Sequence, residues 1–394
     1  MRRDRVGLRW DIVSYFAKLS GYCNAYIQGN YKVTKRLNQI VRLFGDATFT
    51  HLFQIIDIKR LIILISTLCI TLDIEIRSQS KTTMSVQLLA HNFKISWDYR
   101  VEKYVKFGGI MDNLQNQVYY ENGNFISIDG IRLYEQSWCP KSDKKGVIII
   151  VHGYLEHSSR YTHVAEFFAS HGYAVETYDH RGHGKSEGQK AFFNSFDELV
   201  KDMHRFVIRV CDRHPNTPVF IFGHSMGGTV VTMYTIQYNP IIKGILLSGA
   251  ALIRGDSLSP FMVLLASIIG WIIPTLPTIQ PEPSLISRSP DIVKSYETDP
   301  LILHAGSPAR SISEILATTK IIQKNMEAIN LPLLIMHGLD DRIVDVKGSQ
   351  LLYETSKSVD KTLLLYENLY HELVNEPERL KVMNDMKEWL DKRL

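Results

Sequence analysis

A serine stands where a short apolar run gives way to a helical pattern. The segment Gly223-His224-Ser225-Met226-Gly227 follows the run Val219 to Phe222. A nucleophile on a sharp strand-to-helix turn holds a strained backbone, and small residues two positions away on each side let strand and helix approach. The pattern therefore predicts a nucleophile elbow with Ser225 as the nucleophile, in preference to a structural glycine-rich turn.

A serine hydroxyl needs a general base, and the base needs a carboxylate that orients it. On this type of turn the three residues follow the chain order Ser, Asp, His. Asp341 follows the apolar run Leu331 to Met336, and His371 follows the run Thr362 to Tyr366. Both positions lie just beyond strand ends, where open α/β sheets place their sites. Asp340 and Asp345 are nearby rivals, but the spacing from Gly338 to Val344 favours Asp341. We expect three other histidines to lie on the surface, namely His171, His204 and His214.

Acyl transfer also needs two backbone N–H groups for the developing oxyanion. The elbow assigns one to Met226, the residue after the nucleophile, and the other to the loop after an early strand. That loop is His152-Gly153-Tyr154-Leu155-Glu156-His157, where the N–H of Tyr154 is the natural donor. We therefore predict an oxyanion hole formed by Tyr154 and Met226.

The rest of the chain after residue 124 alternates strand and helix patterns. The runs Phe125 to Ile128 and Ile131 to Trp138 flank Asp129-Gly130 and predict a β-hairpin. Uninterrupted apolar runs are typical of parallel strands buried on both faces. They are Val147 to Val151, Ala174 to Tyr178, Val219 to Phe222, Gly244 to Ser248, Leu331 to Met336 and Thr362 to Tyr366. The helical patterns are Arg160 to Ser170, Phe196 to Arg213, Thr229 to Tyr238, Lys347 to Thr355 and Glu378 to Lys392. This alternation predicts an α/β fold with a mostly parallel, doubly wound sheet.

One long gap interrupts the alternation. Residues 252–325 separate two predicted strands by far more than an ordinary loop, so they predict an inserted helical cap. Within the gap, Phe261 to Ile273 is mostly apolar and stops at Pro274. As a helix it is too short to span a bilayer. It could be buried on the sheet, line an acyl-chain tunnel or contact a lipid surface.

The first 110 residues differ in charge from the rest. They carry 17 Lys and Arg against 8 Asp and Glu, whereas residues 111–394 carry 28 against 33. We find no signal peptide, and the apolar stretch Leu61 to Leu72 is short for a membrane span. No catalytic pattern is evident before residue 111. We treat residues 1–110 as an N-terminal extension and residues 111–394 as the hydrolase domain. One account of the extension is a mistaken translation start, since Met111 begins a chain that reads as complete.

The composition of the chain disfavours several classes of function. The mildly acidic part after residue 110 has no electrostatic footprint for a polyanion, so nucleic-acid binding is disfavoured. Four scattered cysteines fit neither a Cys-x-x-Cys metal site nor a disulfide scaffold, and they indicate a reducing compartment. We expect no metal and no organic cofactor, and a cytoplasmic protein with peripheral membrane contact through the cap. The loop Asp179 to Ser186 is glycine-rich but lacks the P-loop register, so we interpret it as structural.

Four motifs in this order resemble the monoacylglycerol lipase and lysophospholipase family of α/β-hydrolases, the serine aminopeptidase-like group. They are His152 to Tyr161, Asp179 to Ser186, Gly223 to Gly228, and Asp341 with His371. The resemblance implies a Ser225–Asp341–His371 triad and a cap that forms a lid over an acyl-chain tunnel. Candidate substrate contacts are Glu156, Arg160, Leu155, Phe261 and Leu265.

Two positions depart from the family pattern. Family members commonly have glycine where Leu155 stands, and some animal members have a second histidine near the glycerol where Val374 stands. The pair Glu156 and Arg160 shapes the alcohol side of the site in the family, although four-residue spacing also fits a surface ion pair.

The sequence therefore predicts a serine carboxylester hydrolase that cleaves monoacylglycerol or lysophospholipid through an acyl-enzyme. A peptidase or an acyltransferase on the same triad is an alternative, because the elbow does not set the leaving group. A non-catalytic binding protein with this fold is another, and labelling by a fluorophosphonate would separate it from the enzymes. Dehalogenase and epoxide hydrolase activities are disfavoured, since their nucleophile is a carboxylate.

Overall fold

The computed structural model describes residues 118–253, 268–278 and 280–394. The strands of its large sheet are β1 Val118–Ile126, β2 Arg132–Pro140, β3 Gly146–Val151, β4 Tyr173–Tyr178, β5 Val219–His224, β6 Gly244–Ser248, β9 Leu333–Gly338 and β10 Lys361–Tyr366. A pair of two-residue strands is formed by β7 Pro277–Thr278 and β8 Ser307–Pro308. The helices are α1 Thr162–Ser170, α2 Phe196–Arg213, α3 Met226–Tyr238, α4 Pro290–Thr298, α5 Ala309–Asn325, α6 Lys347–Thr355 and α7 Arg379–Asp391.

The large sheet has the order β1-β2-β4-β3-β5-β6-β9-β10 in the described part of the chain. Strands β1 and β2 form the predicted hairpin, and β2 runs antiparallel to β4. From β4 to β10 every neighbouring pair is parallel. The predicted α/β fold with a mostly parallel sheet is confirmed.

Strand β3 shows why its sequence is apolar at every position. All six of its residues are buried. Ile148 and Ile150 pack into the core on one face of the sheet, with side chains from α1 and α7. Val147 and Ile149 pack into the core on the other face, with side chains from α2 and α3. Because side chains alternate along a strand, burial on both faces requires an unbroken apolar run.

The segment between β6 and β9 carries additional helices. Helices α4 and α5, the short β7–β8 pair and a helical turn at residues 268–272 lie here. The turn ends just before Pro274, as predicted from the missing N–H of proline. Phe261 and Leu265, predicted to line an acyl tunnel, lie outside the described residues, as do residues 1–110. In the described ranges, no helix has both the length and the apolar character needed to cross a membrane.

Candidate active site

Ser225 occupies a strained turn between β5 and α3. Its backbone has φ 52° and ψ −120°, a conformation that residues with a side chain rarely adopt. A Cβ at position 227 would overlap the carbonyl oxygen of Val151, and one at position 223 would lie 2.7 Å from the carbonyl oxygen of Gly227. The bare positions on both sides therefore let α3 start directly beneath the strand ends, as the sequence predicts.

Asp341 and His371 lie in contact on neighbouring loops. Nδ1 of His371 donates to Oδ2 of Asp341 at 2.7 Å. The other carboxylate oxygen accepts the N–H groups of Ile343 and Val344 at 2.8 and 2.9 Å. Asp340 is exposed, whereas the side chain of Asp341 is fully buried. This carboxylate is held by its own loop and presents one oxygen to the imidazole.

The charges of this pair support each other. Burial opposes ionisation of Asp341, but the charge of His371 and the hydrogen bonds from His337 and His371 outweigh it and hold the pKa of Asp341 well below its ordinary value. Burial likewise disfavours the charged form of His371, but the nearby carboxylate of Asp341 outweighs burial and raises the pKa of His371. An anion at Asp341 therefore stabilises the imidazolium that forms when His371 takes up a proton.

His337 contacts the same carboxylate, a role that the sequence analysis did not assign to it. Nε2 of His337 lies 3.2 Å from Oδ2 of Asp341, and its Nδ1 lies 2.7 Å from the hydroxyl of Ser349. The two rings thus approach one carboxylate oxygen from different elements, His337 from β9 and His371 from the loop after β10. The four-residue spacing between His337 and Asp341, across the strand end, was the available signal.

His371 lies against the elbow. Its ring centroid is 4.7 Å from that of His224, the residue before Ser225. Burial, and then the charge of His371, lower the pKa of His224 to about 3, so this ring stays neutral. Nδ1 of His224 lies 3.0 Å from the carbonyl oxygen of Ser248, which fixes the ring. His371 is therefore the histidine beside Ser225 that is suited to take up a proton.

The predicted oxyanion donors also lie at the elbow. Met226 is the first residue of α3, so its N–H has no partner within the helix. A Cβ at position 153 would lie 3.1 Å from Cβ of Ser225, which places the residue before Tyr154 directly against this serine. The hydroxyl of Tyr154 donates to the carbonyl oxygen of Ala191 at 2.9 Å, so that its ring is tied down. The backbone around the serine thus carries both candidate N–H groups.

The backbone conformation at Leu155 accounts for the glycine that family members commonly have at this position. Its φ is +59°, in the left-handed region that favours glycine, and its side chain is buried. The leucine therefore holds a buried position in this loop at the cost of backbone strain.

A buried ionic cluster joins residues 152–157, the candidate oxyanion loop, to the loop after β10 that carries His371. The guanidinium of Arg160 donates to both oxygens of Glu372 at 2.6 and 2.8 Å and to Glu156 at 3.1 Å. The side chain of Arg160 is only 9% exposed, so the surface ion pair considered from the sequence is wrong. Glu372, the residue after His371, is buried as well and was not singled out by the sequence analysis. Burial raises the pKa of Glu156, whereas Arg160 outweighs burial at Glu372 and lowers the pKa of that carboxyl.

The loop Asp179 to Ser186 has the structural role expected from its sequence. One carboxylate oxygen of Asp179 accepts from the N–H and the hydroxyl of Ser158, and the other accepts from the N–H of Lys185. Its histidines pack beside the oxyanion loop, with the ring centroids of His152 and His180 4.4 Å apart.

Within residues 118–253, 268–278 and 280–394, no group of three or more His, Cys, Asp or Glu could hold a metal ion.

The three histidines expected on the surface differ in burial. His171 and His204 are half-buried. His214 is buried, and its Nε2 lies 2.7 Å from a carboxylate oxygen of Glu176, so its predicted surface position is wrong. The partner that permits this burial comes from β4, a strand far away in sequence.

Helix α4 of the cap contacts the site at two points. Nε2 of His157, in the oxyanion loop, lies 2.9 Å from the carboxylate of Asp299 at the end of α4. The guanidinium of Arg160 lies 5.1 Å from the ring centroid of Tyr296 in α4, within reach of a cation–π interaction. The cap therefore touches the same loop that carries Tyr154.

Comparison with known proteins gives the same assignment. The family described as serine aminopeptidase, S33, matches residues 142–378. A monoacylglycerol lipase of Mycolicibacterium smegmatis is 36% identical over 267 residues, which are 68% of this chain and 95% of that protein. This chain belongs to the monoacylglycerol lipase and lysophospholipase family of α/β-hydrolases. The predicted reaction class of this family member, carboxylic ester hydrolysis, is confirmed by the membership.

Two further relatives bear on the fold and on the range of the family. The crystal structure of a Paleococcus ferrophilus monoacylglycerol lipase aligns with a TM-score of 0.58 and 30% identity, covering 71% of this chain and all of that one. A phospholipase of Bacillus subtilis is 31% identical over 64% of this chain and 98% of its own length. This family of α/β-hydrolases therefore includes proteins named for different lipid head groups.

Proposed function

We propose that this protein hydrolyses monoacylglycerols through an acyl-enzyme on Ser225, with His371 as the general base and Asp341 as its orienting carboxylate. The observation that carries the proposal is the 2.7 Å contact between His371 and a buried Asp341, beside a serine on a strained elbow. The similarity to lipases named for monoacylglycerol supports the choice of substrate.

The proposed reaction proceeds in two halves. Oγ of Ser225 attacks the ester carbonyl while His371 takes the hydroxyl proton, and the resulting imidazolium is stabilised by Asp341. When the carbon–oxygen bond breaks, His371 passes this proton to the leaving glycerol. A water molecule then attacks the acyl-enzyme, His371 takes one of its protons, and the collapse of the intermediate returns this proton to Ser225 and releases the fatty acid.

The oxyanion that forms in each half requires two donors fixed in advance. We assign them to the N–H groups of Tyr154 and Met226. The placement of position 153 against Ser225 and of Met226 at the start of α3 supports this assignment.

The cap supplies the apolar surroundings that a long acyl chain needs. We propose that Phe261 and Leu265 line the acyl tunnel, with Leu155, Glu156 and Arg160 on the alcohol side. Each buried methylene contributes about 0.8 kcal/mol, so a long chain gains several kcal/mol over acetate. Replacing Phe261 and Leu265 with serine should therefore raise KM for long acylglycerols more than for short ones.

A substrate series with a covalent probe tests the function. A fluorophosphonate should label the protein and fail to label Ser225→Ala. The wild type is then assayed on 1-acylglycerols of increasing chain length, the matching lysophospholipids and an aminoacyl peptide. We expect kcat/KM to be highest for a monoacylglycerol. The relative named as a phospholipase makes lysophospholipid the second candidate. A preference for the peptide, or labelling without turnover of any substrate, would contradict the proposal.

We further propose that the cap contacts lipid surfaces. In the helical turn at residues 268–272, Trp271 is 76% exposed and Ile268 and Ile272 are exposed beside it. Ile273, the next residue, is exposed as well. Consecutive exposed apolar side chains of this size are typical of membrane or protein contact sites. Trp271→Ser combined with Ile272→Ser should reduce co-sedimentation with phosphatidylcholine vesicles and leave hydrolysis of a water-soluble ester unchanged. The matched control is Ile241→Ser, which removes an exposed isoleucine outside the cap, between α3 and β6.

A further inference from the structure

The two loops of the site are joined by a continuous chain of polar contacts. The N–H of Gly153, next to the donor Tyr154, donates to Oε1 of Glu156. The other oxygen of Glu156 accepts from Arg160, which holds both oxygens of Glu372. Glu372 directly follows His371 in the chain. An arginine thus stands between the oxyanion donor and the base.

Each end of this chain is held by additional contacts. The hydroxyl of Tyr161 donates to Glu156 at 2.8 Å, and the side-chain amide of Asn375 donates to Glu372 at 2.8 Å. The N–H of Glu372 donates to the carbonyl oxygen of Ile286, in the cap segment before α4. Both carboxylates therefore have fixed positions. A shift of one loop relative to the other would break the bidentate pairing of Arg160 with Glu372 or its single hydrogen bond to Glu156.

We infer that Arg160 and Glu372 are positioning residues for ester hydrolysis, which fix the loop of the oxyanion donor Tyr154 relative to the loop of the base His371. The inference rests on the proposed roles of Ser225, Tyr154 and His371. It concerns the geometry of the transition state, because the oxyanion and the imidazolium form together and both loops must be in register at that moment. It is distinct from recognition of the glycerol.

The choice of ester separates positioning from glycerol recognition. p-Nitrophenyl acetate has neither glycerol nor a long acyl chain, so a residue that only binds the alcohol should not affect its turnover. Glu372→Gln keeps the shape of the side chain and weakens the two-pronged pairing. We expect kcat for p-nitrophenyl acetate to fall roughly 10- to 100-fold, the range that a displacement of reacting groups by about 1 Å produces.

The pH profile gives a second readout that a purely structural role would not change. The charged and titratable groups facing His371 are Asp341 from the β9 loop, His224 from the elbow, and the cluster of Glu156, Arg160 and Glu372. The carboxylates of this set raise the pKa of His371. Glu372→Gln removes one negative charge and leaves the arginine, so the acid limb of kcat/KM should move to lower pH. Glu372→Asp, which restores the charge, should recover part of the rate and return the limb towards the wild type.

The matched control is Asp202→Asn. Asp202 is also buried and holds a two-pronged pair, with Arg181, but neither residue belongs to the two loops of the site. This control should lower the melting temperature without shifting the acid limb. All rates are divided by the active fraction from fluorophosphonate titration. If Glu372→Gln does not fold, Arg160→Lys serves instead, because it keeps the charge and loses the two-pronged contact.

The outcomes are distinct. A fall in kcat on p-nitrophenyl acetate together with a shifted limb supports the inference. Unchanged kcat, or a rise in KM confined to monoacylglycerol, overturns it. Ser225→Ala, assayed in parallel, separates the two proposals: if that variant keeps its activity, the proposed function itself has failed.

Discussion

Nδ1 of His371 donates to Oδ2 of Asp341 at 2.7 Å across thirty positions of sequence. The contact follows from the sheet, since β9 and β10 are parallel neighbours and each residue lies on the loop after its strand. Strand β5, which ends at the elbow, is separated from β9 only by β6. Parallel strands thus bring Ser225, Asp341 and His371, the proposed nucleophile, acid and base, to their carboxyl ends, where open α/β sheets place their sites.

The first prediction concerns the nucleophile. Ser225→Ala should lower kcat on the order of a million-fold, because loss of the nucleophile alone costs about as much as loss of the whole triad. Alanine fits the same space and removes only the hydroxyl, so the melting temperature should change little. Stopped assays of monoacylglycerol hydrolysis and thermal denaturation check both points. Retention of more than a few per cent of the activity would refute the assignment.

The second prediction concerns the acid. Asp341→Asn should reduce kcat roughly ten-thousand-fold, as for the orienting aspartate of other triads, because the imidazole loses its tautomer and its counter-charge. Asp340→Asn is the matched control, since that neighbouring side chain is exposed and should have little effect on kcat. The opposite ranking of the two variants would shift the assignment by one residue.

The fold could be predicted to a large extent because its signals are local. The helix Phe196–Arg213 has the bounds expected from its apolar period, and its N-cap Ser195 accepts from the N–H of Asp197. The elbow was equally accessible, since the spacing of Gly223 and Gly227 reports a steric requirement within one turn. Periodicity, helix caps and short motifs all depend only on residues that are close in sequence.

What could not be predicted depends on distant partners. From the sequence alone, Glu372 is an ordinary loop carboxylate. Only the fold brings it into contact with Arg160, which lies 212 positions earlier in the chain. His214 reads as a surface residue until Glu176 is placed beside it. A leucine likewise does not indicate a positive φ, so the backbone conformation of Leu155 could not be predicted from its own sequence. The only indication was the glycine that family members commonly have at this position. These features follow from tertiary packing, for which no local signal exists.

The third prediction concerns the domain boundary, which stays a prediction. A chain that starts at Met111 should fold and hydrolyse esters like the full chain, because every strand of the described sheet begins at or after Val118 and the proposed site lies entirely within it. Melting temperature and kcat/KM of the two proteins are compared at equal concentration. Aggregation or lost activity of the shorter protein alone would make residues 1–110 part of the enzyme.

The fourth prediction concerns stability in acid. Burial, the larger cause in each case, lowers the pKa of His180 to about 3, and that of His183 to about 4. In the unfolded chain a histidine has a pKa of about 6.5. Below that pH the unfolded state therefore binds protons at these positions, whereas the folded state does not until the pH approaches its lower pKa values. The free energy of unfolding should therefore fall as the pH drops from about 6.5 towards the folded pKa values.

Variants at single histidines measure this effect. Between pH 7 and pH 5, each such histidine should remove about 2 kcal/mol from the free energy of unfolding, as an upper value. His183→Asn keeps a donor for the carbonyl oxygen of Arg181, which Nδ1 of His183 contacts at 2.9 Å, and lacks the titrating ring. Denaturant titrations at the two pH values should show a smaller pH dependence for this variant than for the wild type, whereas the control His304→Asn, at an exposed histidine, should match the wild type. Equal pH dependence in all three proteins would mean that the buried ring already accepts a proton in the folded state, and that burial does not exclude the charge from this loop.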